Sequence, residues 1–296
     1  MKTTGVLVTL ALLATPLLTA MAQQAAKVPR IGILIPARPP PARQPLLDAF
    51  RDGLRGLGYV DEQTVLLEVR WSSGEAGQYT EPLASLIRIP VDVIVVSQTS
   101  GAIAAKRATT TIPIVAASAG SLVESGAVAS LARPGGNVTG LTTQSVEFSA
   151  KRVELLKEVI PRLSRVAAIQ GPPTDNAESR LFVSQTEAGA RRLRVQFQYF
   201  EVKTPTDLEA AFEAAARSRV GGVITLPHPF FGVYAARVAE LALKHRLPLE
   251  ASYREVVDAG ALIYYGVNRS DTWRRAATYV DISKYVGLVK SFRRAA

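Results

Sequence analysis

Few side chains in this 296-residue chain are suited to covalent chemistry. It has no cysteine, which excludes a thiol nucleophile and thiolate metal sites, and two histidines, His228 between prolines and His245 near the end of an amphipathic segment. The HExxH, GxSxG, Walker and GxGxxG spacings do not occur, so metal-assisted hydrolysis, a nucleophile elbow and a phosphate loop are not indicated. His245 reads as a helix-end residue favoured by the dipole rather than as a base. What the chain offers instead is polar loops rich in hydroxyls and amides, Ser97-Gln98-Thr99-Ser100 and Ser118-Ala119-Gly120-Ser121.

Each of these loops follows an apolar run, and a helix N-terminus there would present unpaired N–H groups and partial positive charge. Such loops hold a carboxylate without an arginine, with Thr99 and Ser118 adding hydroxyl donors. The competing reading is that they only cap their own helices. Tyr253, Tyr265 and Asn268 fall near strand ends in the second half, where aromatic walls with a polar tip suit a small amphipathic ligand. Tyrosines packed between lobes are the alternative there.

These loops need a scaffold, and the chain from Val91 to Thr143 shows its grammar. The β-branched runs Val91 to Val96 and Ile112 to Ala117 each break into small polar residues, and a third begins after Pro134-Gly135-Gly136-Asn137. Continuous Val/Ile runs are strands buried on both faces of a parallel sheet, whose ligand loops lie at the carboxyl ends. Strands are also expected at Arg30 to Ile35, Thr64 to Trp71 and Asn137 to Thr142, with helices carrying Leu46, Leu47, Phe50, Leu54 and Leu57 and running around Pro82 to Ile87. Gly140 to Thr143 reads as a hinge.

The second half repeats the pattern without repeating the sequence. A helix at Val146 to Val159 precedes a strand at Arg165 to Ile169 and a loop from Gln170 to Asn176, which contains Asp175. Helices at Ala177 to Leu193 and Asp207 to Ala216 alternate with strands at Val195 to Glu201 and Gly222 to Leu226. Tyr234, Val238, Leu241 and His245 mark a further helix face. Strands at Leu247 to Ser252 and Ala261 to Tyr265 flank a short helix at Glu255 to Asp258. The fold class is α/β, with two doubly wound Rossmann-like lobes.

The N-terminus bears on compartment. Lys2, the apolar run Val6 to Leu18 and the small residues of Ala20-Met21-Ala22 read as a cleavable secretory signal over residues 1–22. That run is too short, and too interrupted at Thr15-Pro16, to span a bilayer comfortably. Lys2 and the tail residues Lys284, Lys290, Arg293 and Arg294 carry half of the formal charge of +10. The scattered remainder, without interleaved aromatics, is no nucleic-acid footprint.

Several segments together carry a family resemblance. Ala49-Phe-Arg-Asp-Gly-Leu-Arg-Gly-Leu-Gly-Tyr-Val60, Val91-Asp-Val-Ile-Val95, Ala129-Ser-Leu-Ala-Arg-Pro-Gly-Gly-Asn-Val-Thr-Gly140, Lys151-Arg-Val-Glu-Leu-Leu-Lys157 and Arg274-Arg-Ala-Ala-Thr-Tyr-Val-Asp281 resemble the ABC transporter substrate-binding proteins of the tryptophan/tyrosine-type group. The resemblance implies a type I periplasmic-binding-protein architecture, with residues 28–142 plus 267–296 as the first lobe and 143–266 as the second. It further implies a non-enzymatic, cofactor-free protein of the periplasm that closes on a small organic ligand, such as an amino acid or other carboxylate, and partners an ABC permease and ATPase. A periplasmic ligand-sensing domain serving a signalling partner is the alternative.

Carried across position by position, the family's ligand-facing loops fall on Ser97, Gln98, Thr99, Ser118 and Ser121, and the second-lobe loop on Asp175. Tyr253, Tyr265 and Asn268 complete the candidate set; no catalytic or metal residue is expected. Where the family commonly has Gly-Asp-Pro this chain has Gly120-Ser121-Leu122, so an acid suited to an ammonium group is missing from that loop. The resemblance stops after Asp281, since Ile282 to Ala296 does not continue the expected helix. A chain shortened there is expected to be less stable than a full-length relative.

Overall fold

The computed structural model describes residues 28–36, 44–72, 79–143, 146–173 and 177–281. In the first lobe β1 (Arg30–Pro36), β2 (Leu66–Ser72), β3 (Val93–Val96), β4 (Ile114–Ala119) and β5 (Val138–Thr142) form one parallel sheet in the order β2-β1-β3-β4-β5. In the second, β6 (Arg165–Gln170), β7 (Gln196–Glu201), β8 (Gly222–Thr225), β9 (Leu249–Ala251) and β10 (Ile263–Tyr264) form another, in the order β10-β9-β8-β6-β7. Read from the other edge, the second order matches the first. The two lobes are topological copies whose chain reverses direction across the sheet between the first and third strands.

The apolar runs are continuous because each strand is covered twice. Val93 and Val95 face one core with Ile31, Ile33 and Ile35, whereas Ile94 and Val96 face the opposite core with Leu34. This is the two-residue period of a strand with both faces buried. Helices α1 (Gln44–Arg55), α2 (Thr80–Ile87) and α3 (Thr99–Ala108) supply the covering side chains: Leu46, Leu47, Phe50 and Leu54 from the first, Leu83 and Leu86 from the second, Ala102 and Ala105 from the third.

In the second lobe α4 (Phe148–Val159) and α5 (Ala177–Arg192) cover one face with Val153, Leu156, Phe182 and Ala190. On the other face lie α6 (Asp207–Arg217), α7 (Pro229–Val233), α8 (Ala235–Lys244) and α9 (Arg254–Asp258), with Leu208, Phe212, Phe231, Val238, Leu241 and Val256 inward. Helix α7 was not expected from the sequence; Pro229 at its first turn and His228 as its cap start it directly after the strand.

The last described helix, α10 (Arg269–Tyr279), returns to the first lobe. Its Trp273 is fully buried and meets Phe50 edge-on at a ring-centroid distance of 6.1 Å. Such aromatic pairs contribute about 0.5–1.5 kcal/mol beyond the area they bury.

The path out of the first lobe is tightly built. Gly140 in β5 has φ +148°, and an added Cβ would lie 2.1 Å from the Ala116 carbonyl oxygen, so no other residue fits there. Register between β4 and β5 shifts between Ala116 and Ala119, and the Thr143 N–H then donates to Ala119 O at 2.6 Å. Ser118 lies within this irregular stretch at the strand end.

Candidate functional site

A cleft between the lobes is lined by Gln98, Thr99, Ser118 and Gly120 from the first lobe and by Arg152, Glu178, Phe182, His228 and Tyr253 from the second. Tyr264 at the end of β10, with Val267 and Arg269 beyond it, closes the cleft on the path back to the first lobe. The cleft holds about 690 Å³ of unfilled space, its open mouth included.

The first-lobe wall is assembled by the ends of β3 and β4. Gln98 occupies the cap position of α3 in extended geometry, yet its side chain makes no capping bond and its Nε2 has no partner. Thr99 Oγ1 accepts from the Gly120 N–H at 3.0 Å, tying the two loops together. Ser118 Oγ is buried without a partner in the cleft wall. Ser100 is engaged with the Tyr79 hydroxyl at 2.9 Å, and burial pushes that phenol up to about 12.

The second-lobe wall carries the charge. Arg152, 2% exposed, starts from α4; its Nε donates to Tyr265 O at 3.2 Å and lies 3.6 Å from Glu250 Oε1. Its Nη1 has no partner. Burial pushes the Glu250 carboxyl up to about 8 against the opposing pull of Arg152, so the guanidinium is incompletely neutralised. His228 is 4% exposed; Nδ1 accepts from the Phe230 N–H at 3.1 Å, which leaves the ring proton on Nε2, and burial lowers its pKa to about 4. The imidazole is thus a neutral donor, and its Nε2 is unpartnered.

Glu178, in the first turn of α5, crosses the cleft. It is 5% exposed and bonded to the Thr99 hydroxyl and the Ser121 backbone N–H of the opposite lobe. Gly120 makes the approach possible, because a Cβ there would sit 1.8 Å from Glu178 Oε1. Burial raises the carboxyl to about 7; the two bonds oppose this, and Glu124 and Glu147 add to it. The Gly120-Ser121-Leu122 loop brings no acid of its own, but Glu178 delivers one to it from the other lobe.

The sequence candidates divide accordingly. Gln98, Thr99, Ser118 and Tyr253 line the cleft, the last with the Arg269 guanidinium 4.9 Å from its ring centre. Ser97 is buried beside the wall but is not among the lining residues. Ser121 Oγ accepts from the Glu124 N–H, so its side chain serves the turn while its backbone serves the cleft. Tyr265 packs edge-on to Phe148 and serves the site through its backbone, its carbonyl accepting from Arg152 and its N–H donating to Glu250. Asn268 is exposed and caps α10 through Oδ1 to the Asp271 N–H. Asp175 lies outside the described residues.

Arg152 and Glu178 escape a reading of the sequence for different reasons. Arg152 falls with Ser149, Val153 and Leu156 on the buried stripe of α4, and a charge at an inward helical position was the available signal. Glu178 looks like any acid placed at a helix start for the dipole.

The family model described as ABC transporter substrate binding protein matches residues 31–282. The chain belongs to that family. Among curated relatives of this substrate-binding protein, the tyrosine-binding protein of Clostridioides difficile (strain R20291) is 26% identical over 231 residues, 76% of this chain and 65% of the relative. The match thus spans just under two thirds of that protein's length. Among solved structures, a conserved domain protein from Vibrio cholerae superposes with a TM-score of 0.78 at 21% identity, covering 86% of this chain and 84% of the other. An ABC domain from Streptococcus pneumoniae in complex with L-Trp gives 0.76 at 21% identity, covering 88% and 85%. These likenesses establish the type I periplasmic-binding fold expected from the sequence. Among the described residues, no cluster of His, Asp and Glu could hold a metal ion, and no helix is long and apolar enough to cross a membrane.

Proposed function

We propose that this protein is the exported ligand-capturing component of an ABC importer, taking a small organic carboxylate, with an aromatic amino acid as the leading class, between its two lobes. The observation that carries this reading is the Arg152 Nη1, buried and unpartnered in a cleft whose other wall is the start of α3. A carboxylate placed there meets a cation on one side and helix N–H groups on the other. Phe182, Tyr253 and Tyr264 provide apolar walls for a ring. The relatives named for tyrosine binding and solved with L-Trp favour the same class.

Capture proceeds by hinge closure about Gly140 to Thr143 and the return segment between β10 and α10. A ligand touching both walls stabilises the closed arrangement over the open one by its differential contacts, and the closed form is what a permease and ATPase would receive. The protein works in the periplasm after removal of residues 1–22; an N-terminus at Gln23 on the exported protein, read by mass spectrometry, checks that step.

Calorimetric titration with L-tyrosine, L-tryptophan and benzoate tests the reading. One of them is expected to bind with a Kd of about 1 µM or tighter, about 8 kcal/mol. The affinity should collapse in the Thr99→Ala/Ser118→Ala double variant. Unchanged affinity in that variant would remove the site.

A further inference from the structure

The unpartnered polar atoms of the cleft differ in what they can bind. Arg152 Nη1, His228 Nε2 and Gln98 Nε2 are donors and Ser118 Oγ can serve either way, while Glu178 Oε1 is an acceptor alone when ionised. A ligand that satisfies the cleft therefore carries an acceptor end and a separate donor end. We propose that Glu178 is the specificity-determining residue of this site, selecting ligands that bear a protonated amine. The assignment rests on the ligand-capture reading above and specifies the second charge the ligand must bring.

Geometry and charge support an ammonium over a neutral donor. Glu178 is 95% buried, the side chain and amide that already bind it, from Thr99 and Ser121, are neutral, and the charges acting on it are the carboxylates Glu124 and Glu147. The other titratable or charged groups lining the cleft are Arg152, drawn toward Glu250, Arg269, which faces Glu255, and the neutral His228. Among the described residues no lysine or arginine forms an ion pair with Glu178. A buried carboxyl in that position is held in its protonated form at mildly acidic pH, and an arriving ammonium reverses this by favouring the carboxylate. Amine binding accordingly expels a proton.

The test uses two ligand series that differ only at the amine: L-tyrosine, 4-hydroxyphenyllactate and 3-(4-hydroxyphenyl)propanoate, and L-tryptophan, indole-3-lactate and indole-3-propanoate. In at least one series the amino acid is expected to bind about 10–100-fold tighter than its hydroxy and unsubstituted analogues, the strength of one charge-assisted hydrogen bond. Glu178→Gln, which keeps the shape and the acceptor for Thr99, should bring the three within about threefold of one another. At pH 6.5 the calorimetric enthalpy of amino-acid binding by the unaltered protein should vary with the ionisation heat of the buffer, a proton-release signature that needs no variant. Equal binding of amine and hydroxy ligands, or equal loss for all three in Glu178→Gln, overturns the assignment and leaves ligand capture standing. Failure of every member of both series to bind overturns both.

Discussion

The two walls of the cleft come from lobes of the same topology, yet they are chemically unlike. The first-lobe wall is neutral, with Gln98, Thr99, Ser118 and Gly120 supplying hydroxyls, an amide and backbone N–H groups. The second-lobe wall holds Arg152, Glu178 and His228, each at least nine-tenths buried. Fixed dipoles at strand ends tolerate many ligands, whereas buried ionisable groups are costly unless a partner of the right charge arrives. Under the proposed ligand capture, this difference would give support to one lobe and discrimination to the other.

The largest effect should come from removing the cation of the charged wall. Arg152→Met leaves Glu250 buried without its counter-charge and is expected to lower unfolding free energy by about 3–5 kcal/mol in urea titrations at pH 9, where Glu250 is ionised, and by less at pH 6, with loss of carboxylate binding. A variant of unchanged stability would show that the charged wall is not structural. The second effect is pH-dependent. The folded-state pKa of Glu178 is raised to about 7 from 4.5, so the stability it contributes is full below about pH 4.5 and is lost as pH rises through 7. Glu178→Gln should therefore exceed the unaltered, ligand-free protein by up to about 3 kcal/mol at pH 8 and by nothing at pH 4. A constant difference across that range would contradict the burial of an ionisable group.

Gly120→Ala probes the contact between the walls. Its Cβ would displace Glu178, at about 1–2 kcal/mol of strain, and scattering should report a more open molecule while each lobe keeps its fold. The smallest effect belongs to Asn268→Ala. Loss of the α10 cap should cost about 1 kcal/mol in thermal unfolding and leave ligand affinity unchanged, since Asn268 points to Asp271 and not to the cleft.

The scaffold was readable in the sequence because its signals are local. Val91 to Val96 declares a strand covered on both sides, and Leu46, Leu47, Phe50 and Leu54 declare the helix that covers it. The neutral wall was readable for the same reason, since Thr99 and Ser118 stand where strand grammar puts binding loops. The charged wall was not, because its chemistry depends on distance across the fold. Glu178 gains its role from Gly120, and Arg152 from Glu250 and the Tyr265 carbonyl, partners far away in the chain. Tyr265 and Asn268 were placed in the right region, but orientation chose Tyr264 for the cleft and left Asn268 to its helix.

Helix α10 has a consequence in time. Phe50 and Leu54 belong to the segment a ribosome delivers first, while Trp273, Ala276 and Ala277, which share their core, arrive only after the whole second lobe has been made. During synthesis, the early lobe stands with an apolar face that lacks the cover α10 later supplies. The lobe begun first is completed last, and Phe50 stays without its aromatic partner until Trp273 arrives.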